Sequence, residues 1–140
     1  MNKAANRFEA IAVGDEADFS KTVTESDIYL FAGITGDFNP VHVNKVYAAQ
    51  TIFEGPVAHG MLSAGFISTV LGNALPGPGT VYLSQTLEFK APVRINDTII
   101  ARVKVLEKIV KKKQLRLETV CRNQNDEVVI KGEARVLLLE

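Results

Sequence analysis

The apolar positions of this 140-residue chain repeat with two different periods, one before residue 80 and one after it. Residues 57–73 carry large apolar side chains at the three- and four-residue spacing of a helix, at Val57, Met61, Leu62, Phe66, Val70 and Leu71. Small residues form a separate stripe at steps of four, at Gly60, Ala64, Ser68 and Gly72. A helix that is apolar on nearly all sides is expected to be buried.

After residue 80 apolar and polar residues alternate, which is typical of strands with one buried face. Such runs cover residues 81–89, 101–105, 115–121 and 128–139, and turn-forming residues separate them. The run Lys111–Lys113 predicts a hairpin tip. One buried helix followed by an antiparallel meander indicates an α+β fold, with the apolar face of the sheet against the helix.

Weaker signals precede the long helix. Residues 8–22 predict two short strand-like pieces around Gly14 and Asp15. Thr24 and Asp27 have the spacing of a capping box, which predicts a short helix over residues 26–32 that ends at Gly33. A second short helix is expected over residues 44–49.

Composition narrows the class of protein. The chain has 16 basic and 16 acidic residues, and this balance lacks the basic excess of a nucleic-acid binder. The polar start of the chain does not resemble a signal peptide, and residues 57–75 are too short and too polar to span a membrane. Cys121 is the single cysteine, which fits a reducing compartment. We therefore expect one soluble, cytoplasmic domain over residues 1–140, with its core at about 8–139.

The strongest candidate chemistry lies in the segment 34–42, where Asp37 and His42 stand five residues apart. Gly36 permits backbone angles that are closed to other residues, and Pro40 fixes its own φ and biases Asn39 away from the α region. A plain helix is therefore not expected here, and the carboxylate and imidazole can converge on one small molecule. Histidine exchanges protons readily near neutral pH.

The segment Gly36–His42 resembles the G-D-x-N-P-x-H signature of the MaoC-like, (R)-specific enoyl-CoA hydratases, and residues 58–61 are similar to the start of that family's central helix. The resemblance implies a single hot-dog domain, an antiparallel sheet wrapped around one long central helix with a short overhanging helical segment. It also implies hydration of trans-2-enoyl-CoA to (R)-3-hydroxyacyl-CoA, or the reverse dehydration, with no cofactor beyond the CoA of the substrate. A homodimer is implied, and a hexamer built from three dimers is compatible with it.

The same resemblance assigns catalysis to Asp37 and His42, and the hydrogen bond to the thioester carbonyl to Gly60. From the residues alone, Gly60 lies in the first turn of the buried helix, where backbone N–H groups are unpaired and negative charge is favoured. Asn39 is expected to orient the loop or the pair. Ser68 matches a serine near the active site of related hydratases. The division of acid and base roles between Asp37 and His42 stays open.

Other residues have a structural and a functional interpretation. Phe66 and Leu71 either belong to the core or line an acyl tunnel. Lys90 and Arg94 are either solvated or bind the phosphates of CoA. The same two interpretations apply to the lysine cluster at Lys108 and 111–113. His59 is interpreted as structural and Cys121 as a core residue. No metal site is expected, because the two histidines and the cysteine lack ligand spacing.

Three rival functions remain. A 3-hydroxyacyl-ACP dehydratase would need a basic surface for the acidic carrier protein. A thioesterase shares the fold, although the Asp37/His42 signature favours hydration. A non-catalytic acyl-CoA-binding or partner subunit is the rival from outside enzymology, because fold does not imply function. The chain has room for one hot-dog half, which favours short to medium acyl chains.

Overall fold

A computed structural model describes residues 7–139 of the chain. Its centre is a six-stranded antiparallel sheet with the order β1-β4-β5-β6-β2, in which the short β3 also pairs with β6. The strands are β1 (Glu16–Thr22), β2 (Thr80–Gln85), β3 (Glu88–Phe89), β4 (Thr98–Ile109), β5 (Gln114–Arg122) and β6 (Val128–Leu138). The helices are α1 (Arg7–Ala10), α2 (Glu25–Thr35), α3 (Pro40–Val43), α4 (Lys45–Ala49) and α5 (Gly60–Asn73).

Helix α5 lies against the concave apolar face of the sheet, where it contacts β1, β4 and β5. Its buried residues are Ser63, Ala64, Phe66, Ile67, Val70 and Leu71. The ring of Phe66 meets the edge of Phe19 from β1, with 5.9 Å between ring centroids. The predicted α+β class and the hot-dog layout, a sheet wrapped around one long helix, are confirmed.

The period of two in the central strands is confirmed. Every second residue of β5, and of β4 as far as Val105, is fully buried, at Ile99, Ala101, Val103, Val105, Leu115, Leu117, Thr119 and Cys121. The Cys121 thiol therefore belongs to the core, as predicted, and burial raises its pKa to about 12. The lysine tip is also confirmed, as a single 3₁₀ turn at Val110–Lys112 between β4 and β5.

The predicted single strand over residues 81–89 is wrong, because the chain is interrupted between β2 and β3. The main chain at Thr86 passes directly over Gly132 of β6, where a Cβ would lie 1.8 Å from the Thr86 carbonyl oxygen. A register shift between Tyr82 and Ser84 further turns the strand. Two residues predicted to face the core, Leu83 and Phe89, are 44% and 54% exposed as a result.

The first strand-like piece is also wrong, since residues 7–10 form helix α1. Two cations hold this segment to the body of the protein. The guanidinium of Arg7 donates to the Pro76 and Pro78 carbonyls at 2.6 Å each, and Lys108 Nζ donates to the Ile11 carbonyl at 2.6 Å. Lys108 thus holds the segment after α1 against the sheet, and this contact explains the position of its side chain better than phosphate binding does.

Helix α2 begins as predicted and ends later than predicted. Thr24 Oγ1 accepts from the Asp27 N–H at 3.1 Å, and the Asp27 carboxylate accepts from the Thr24 N–H at 2.9 Å, which is a complete capping box. The helix continues through Gly33 and ends at Thr35, where Gly36 adopts the left-handed conformation at φ 82°. Gly36 rather than Gly33 is therefore the C-terminal signal.

Helix α4 closely matches its predicted range, with Asn44 as its N-cap. Helix α5 begins at Gly60 rather than at residue 57, because Val57 forms a β-bridge with Arg94 and the Ala58 N–H donates to the Val93 carbonyl. Among residues 7–139, none of the helices combines the length and the apolar character that a bilayer crossing demands. Residues 1–6, which carry the polar start of the chain, lie outside the described residues.

Candidate active site

The signature segment folds into a tight connection between α2 and α3. Asn39 caps α3 by accepting from the Val41 N–H at 3.2 Å, and Pro40 occupies the first helical position, where its missing N–H costs nothing. The Asn39 N–H donates to Asp37 Oδ1 at 3.2 Å. Asn39 therefore contacts both the helix that carries His42 and the carboxylate of Asp37, which is exposed.

His42 projects from α3 towards the segment that leads into α5. Its Nδ1 lies 2.7 Å from the carbonyl oxygen of Val57. A carbonyl can only accept a hydrogen bond, so Nδ1 must carry the proton. In neutral His42 the Nε2 atom is then the nitrogen with a free lone pair, and this atom is available for proton transfer.

His59 completes the group from the opposite side. Its ring stacks on that of His42, with 3.8 Å between centroids and 29° between planes, and Phe31 from α2 lies 4.8 Å from it. Its Nε2 lies 2.9 Å from the backbone carbonyl of Asp37. His59 is only 2% exposed. Sequence reasoning kept His59 outside the site, since its separation of 22 residues from Asp37 gives no signal of this contact.

Gly60 follows His59 directly and is the first residue of α5, so its N–H group has no partner within the helix. It lines a cavity of about 490 Å³ whose wall is mostly apolar. The wall includes Val57, Met61, Ser63, Phe89, Lys90 and Ile130. The same Val57 that lines this cavity holds His42 through its carbonyl, so the histidine and the cavity share one short segment.

The structure does not bring every predicted residue to this place. Phe66 and Leu71 are buried in the core between α5 and the sheet, and neither lines the cavity. Ser68 is exposed on another side of α5. Ser63, which the sequence did not single out, is fully buried in the cavity wall, and its hydroxyl has no hydrogen-bond partner among the described residues.

The two predicted phosphate partners differ in their surroundings. Lys90 is exposed at the cavity and pairs with Glu88 at 2.5 Å, which is a weak and solvent-screened contact. The guanidinium of Arg94 donates to the Phe53 carbonyl and lies 6.0 Å from the centroid of the Phe53 ring. Arg94 is thus already held by the loop before α5, while Lys90 remains available to a ligand.

Asp37, His42 and His59 each offer one possible metal-ligand atom, and these atoms lie within 4.8 Å of one another. The spacing of these residues in the sequence gave no sign of such a cluster. The arrangement suits an ion poorly, because a metal must lie near the plane of each imidazole and these two rings are stacked. One nitrogen of each ring is also committed to a carbonyl. We assign no metal to this site.

The family model for the MaoC like domain matches residues 8–127, which include Asp37, His42, His59 and Gly60. The chain belongs to the MaoC-like family. Residues 1–7 and 128–140 of this MaoC-like chain lie outside the matched range, although β6 is an integral part of its sheet.

Named relatives of this MaoC-like chain cover nearly all of it. It is 54% identical to an (R)-specific enoyl-CoA hydratase of Rhodospirillum rubrum over 94% of this chain and 90% of the relative. It is 49% identical to a 3-hydroxybutyryl-CoA dehydratase of Methylorubrum extorquens over 92% and 82% of the two chains. Both names describe hydro-lyases, which confirms the prediction of an enzyme of this class.

Solved structures agree with the fold. The (R)-hydratase from Aeromonas caviae superposes with a TM-score of 0.91 at 39% identity, covering 94% of this chain and 99% of that one. An unliganded R-hydratase from Pseudomonas aeruginosa gives a TM-score of 0.90 at 42% identity, covering 95% and 85%. The hot-dog assignment therefore rests on structural similarity as well as on strand order.

Proposed function

We propose that this protein adds water to trans-2-enoyl-CoA to give (R)-3-hydroxyacyl-CoA, and catalyses the reverse dehydration. The observation that carries the proposal is the hydrogen bond from His42 Nδ1 to the Val57 carbonyl, because it leaves Nε2 free for proton transfer and ties the histidine to a residue whose side chain lines the apolar cavity. The hydratase and dehydratase names of the relatives supply the thioester substrate and its handedness.

Hydration needs a base that activates water, an acid that protonates C2 and a donor that stabilises the thioester oxygen. One water molecule held between the Asp37 carboxylate and His42 Nε2 loses a proton to the pair, and its hydroxide adds to C3 of the substrate. The pair returns a proton to C2, so that the elements of water are added across the double bond. As negative charge develops on the thioester oxygen, the Gly60 N–H at the start of α5 stabilises it. One such donor typically lowers a barrier by about 3–4 kcal/mol.

Several neighbours support this assignment. Asn39 holds Asp37 through its backbone N–H and caps the helix of His42, so we propose it as the residue that orients the pair. The cavity volume of about 490 Å³ suits a short to medium acyl chain. Lys90 at the cavity is the proposed partner for the CoA phosphates. The reaction draws on no cofactor beyond the CoA of the substrate.

We further propose that the active form is a homodimer. The interrupted edge formed by β2 and β3 exposes Tyr82, Leu83 and Phe89, a concentration of large apolar side chains beside the cavity. Exposed apolar groups of this kind mark surfaces that partners cover. Pairing of two copies along this edge would place part of the cavity wall at the interface.

The test is loss of the enoyl-thioester absorbance of crotonyl-CoA with purified protein, followed by chiral analysis of the product. Asp37→Asn and His42→Gln should each lower kcat by roughly 10²–10⁴-fold, the usual contribution of a positioned acid or base. Asp126→Asn, an exposed aspartate in the turn before β6, serves as the matched control and should leave the rate unchanged. Wild-type protein that binds crotonyl-CoA without turnover would instead identify a binding subunit.

A further inference from the structure

We propose that His59 is a positioning residue that holds both His42 and Asp37 in their reactive geometry. The inference deepens the proposed hydratase function and rests on it. Two contacts carry it, the ring stack on His42 and the hydrogen bond to the Asp37 carbonyl, and His59 itself is buried.

The hydrogen bond fixes the proton of His59 on one nitrogen. Its Nε2 lies 2.9 Å from the Asp37 carbonyl oxygen, which can only accept, so Nε2 is the protonated atom. The tautomer is therefore opposite to that of His42, whose proton sits on Nδ1. Two stacked imidazoles with opposite tautomers each anchor to a different stretch of main chain.

The second nitrogen of His59 makes no hydrogen bond of its own. His59 Nδ1 is inaccessible to water and has no hydrogen-bond partner within residues 7–139, so the Asp37 carbonyl is the polar anchor of this ring. The groups that face the ring are Phe31 from α2, His42 from α3 and the main chain of Asp37, whose carboxylate lies in the same cluster.

The two contacts have separate consequences for the reaction. The stack restricts the ring of His42 to one orientation, so that Nε2 stays aimed away from Val57. The bond to the Asp37 carbonyl meanwhile fixes the backbone of the loop that carries the carboxylate, and small errors of position are costly in catalysis.

The chain contains two histidines, which makes the tautomer test unambiguous. In protein labelled with ¹⁵N-histidine, two-bond ¹H–¹⁵N correlation spectra contain four ring nitrogens, assigned with the variant His59→Phe. Where both rings are neutral, we expect one ring with a bare Nδ1 and a protonated Nε2, and that ring is missing in His59→Phe. A His59 signal of the Nδ1–H tautomer would overturn the inference.

Activity measurements on two variants of His59 distinguish the effect of the ring stack from that of the hydrogen bond. His59→Gln keeps a donor near the position of Nε2 and removes the stack, whereas His59→Phe keeps a ring on His42 and removes the donor. Each should lower kcat for crotonyl-CoA by roughly 10–100-fold, the scale of a displaced catalytic group, while KM and the melting temperature stay close to wild type. An unchanged kcat in both variants refutes the role of His59 and leaves the hydratase assignment intact. An inactive wild type refutes the hydratase assignment itself.

Discussion

The ring of Phe89 covers the backbone of Gly60. A Cβ atom built on Gly60 would lie 2.5 Å from Phe89 Cε1 and 2.6 Å from Cδ1, closer than any real Cβ contact. The two-residue strand β3 is thereby packed against the start of α5, the place where the proposed thioester carbonyl binds. A larger residue at position 60 would therefore have to displace the Phe89 ring, which is 54% exposed.

Gly60→Ala should lower kcat/KM for crotonyl-CoA by roughly 10²-fold, because the residue keeps its N–H but the substrate can no longer reach this donor freely. The added methyl group must displace the Phe89 ring and also crowds the approach of a carbonyl to the N–H. The double variant Gly60→Ala with Phe89→Ala distinguishes these causes, with Phe89→Ala alone as its control. Recovery of activity in the double variant would show that the ring clash was the only defect and that the methyl group does not crowd the approach of a carbonyl to the N–H.

The capping box of α2 should contribute measurably to stability. Thr24→Ala removes the acceptor for the Asp27 N–H and is expected to reduce the free energy of unfolding by about 1 kcal/mol. Urea denaturation measures this loss. Ser26→Ala, an exposed change in the same helical turn, is the matched control and should stay within about 0.5 kcal/mol of wild type. Equal effects of the two variants would contradict the capping role.

The buried thiol of Cys121 predicts a pH dependence of stability. Its pKa is raised from an ordinary value of 9.0 to about 12 by burial, so the unfolded chain loses this proton at lower pH than the folded chain does. The stabilisation is complete below pH 9 and is lost as pH rises towards 12. Urea unfolding between pH 8 and about 11 should therefore show a steeper loss of stability with pH in wild type than in Cys121→Ala. Parallel curves would argue against a fully buried thiol.

Lys90 offers a test of substrate binding that is independent of the chemistry. Lys90→Gln should raise KM for crotonyl-CoA severalfold, with kcat unchanged, because a screened surface charge contributes up to about 1 kcal/mol. Added salt should reduce the difference between the variant and wild type. Lys131→Gln, on the neighbouring strand β6 and outside the cavity wall, is the control. An equal rise in KM for both variants would point to a general effect of charge.

The fold could be predicted largely from periodicity. The alternation in β4 and β5 reflects burial of one face of the sheet, and the helical spacing of α5 reflects a helix that is apolar on nearly all sides. The pattern of apolar positions therefore predicts these elements. The interruption after Gln85 could not be predicted, because it depends on the close passage of Thr86 over Gly132, 46 positions further along the chain. The prediction that α2 ends at Gly33 is wrong, because the left-handed backbone conformation that ends the helix occurs at Gly36 and not at Gly33.

The candidate site could likewise be predicted only in part. Asp37 and His42 lie in one contiguous segment, and their residue types already indicate proton transfer. His59 and Ser63 lie on another segment, and what places them is tertiary packing at the start of α5. Phe66 and Leu71 have apolar side chains that suit either a core or a tunnel, and only the direction of the helix face assigns them to the core.

Both imidazoles of the site are anchored by main-chain carbonyls rather than by other side chains. The hydrogen bond from His42 reaches the carbonyl of Val57, while the Val57 side chain lines the cavity. Every amino acid presents the same carbonyl, so position 57 can be resized without removing the partner of His42. A change of side chain at position 57 can therefore alter which acyl groups fit the cavity while the hydrogen bond that orients His42 is kept. Directed evolution of acyl preference can begin at residue 57.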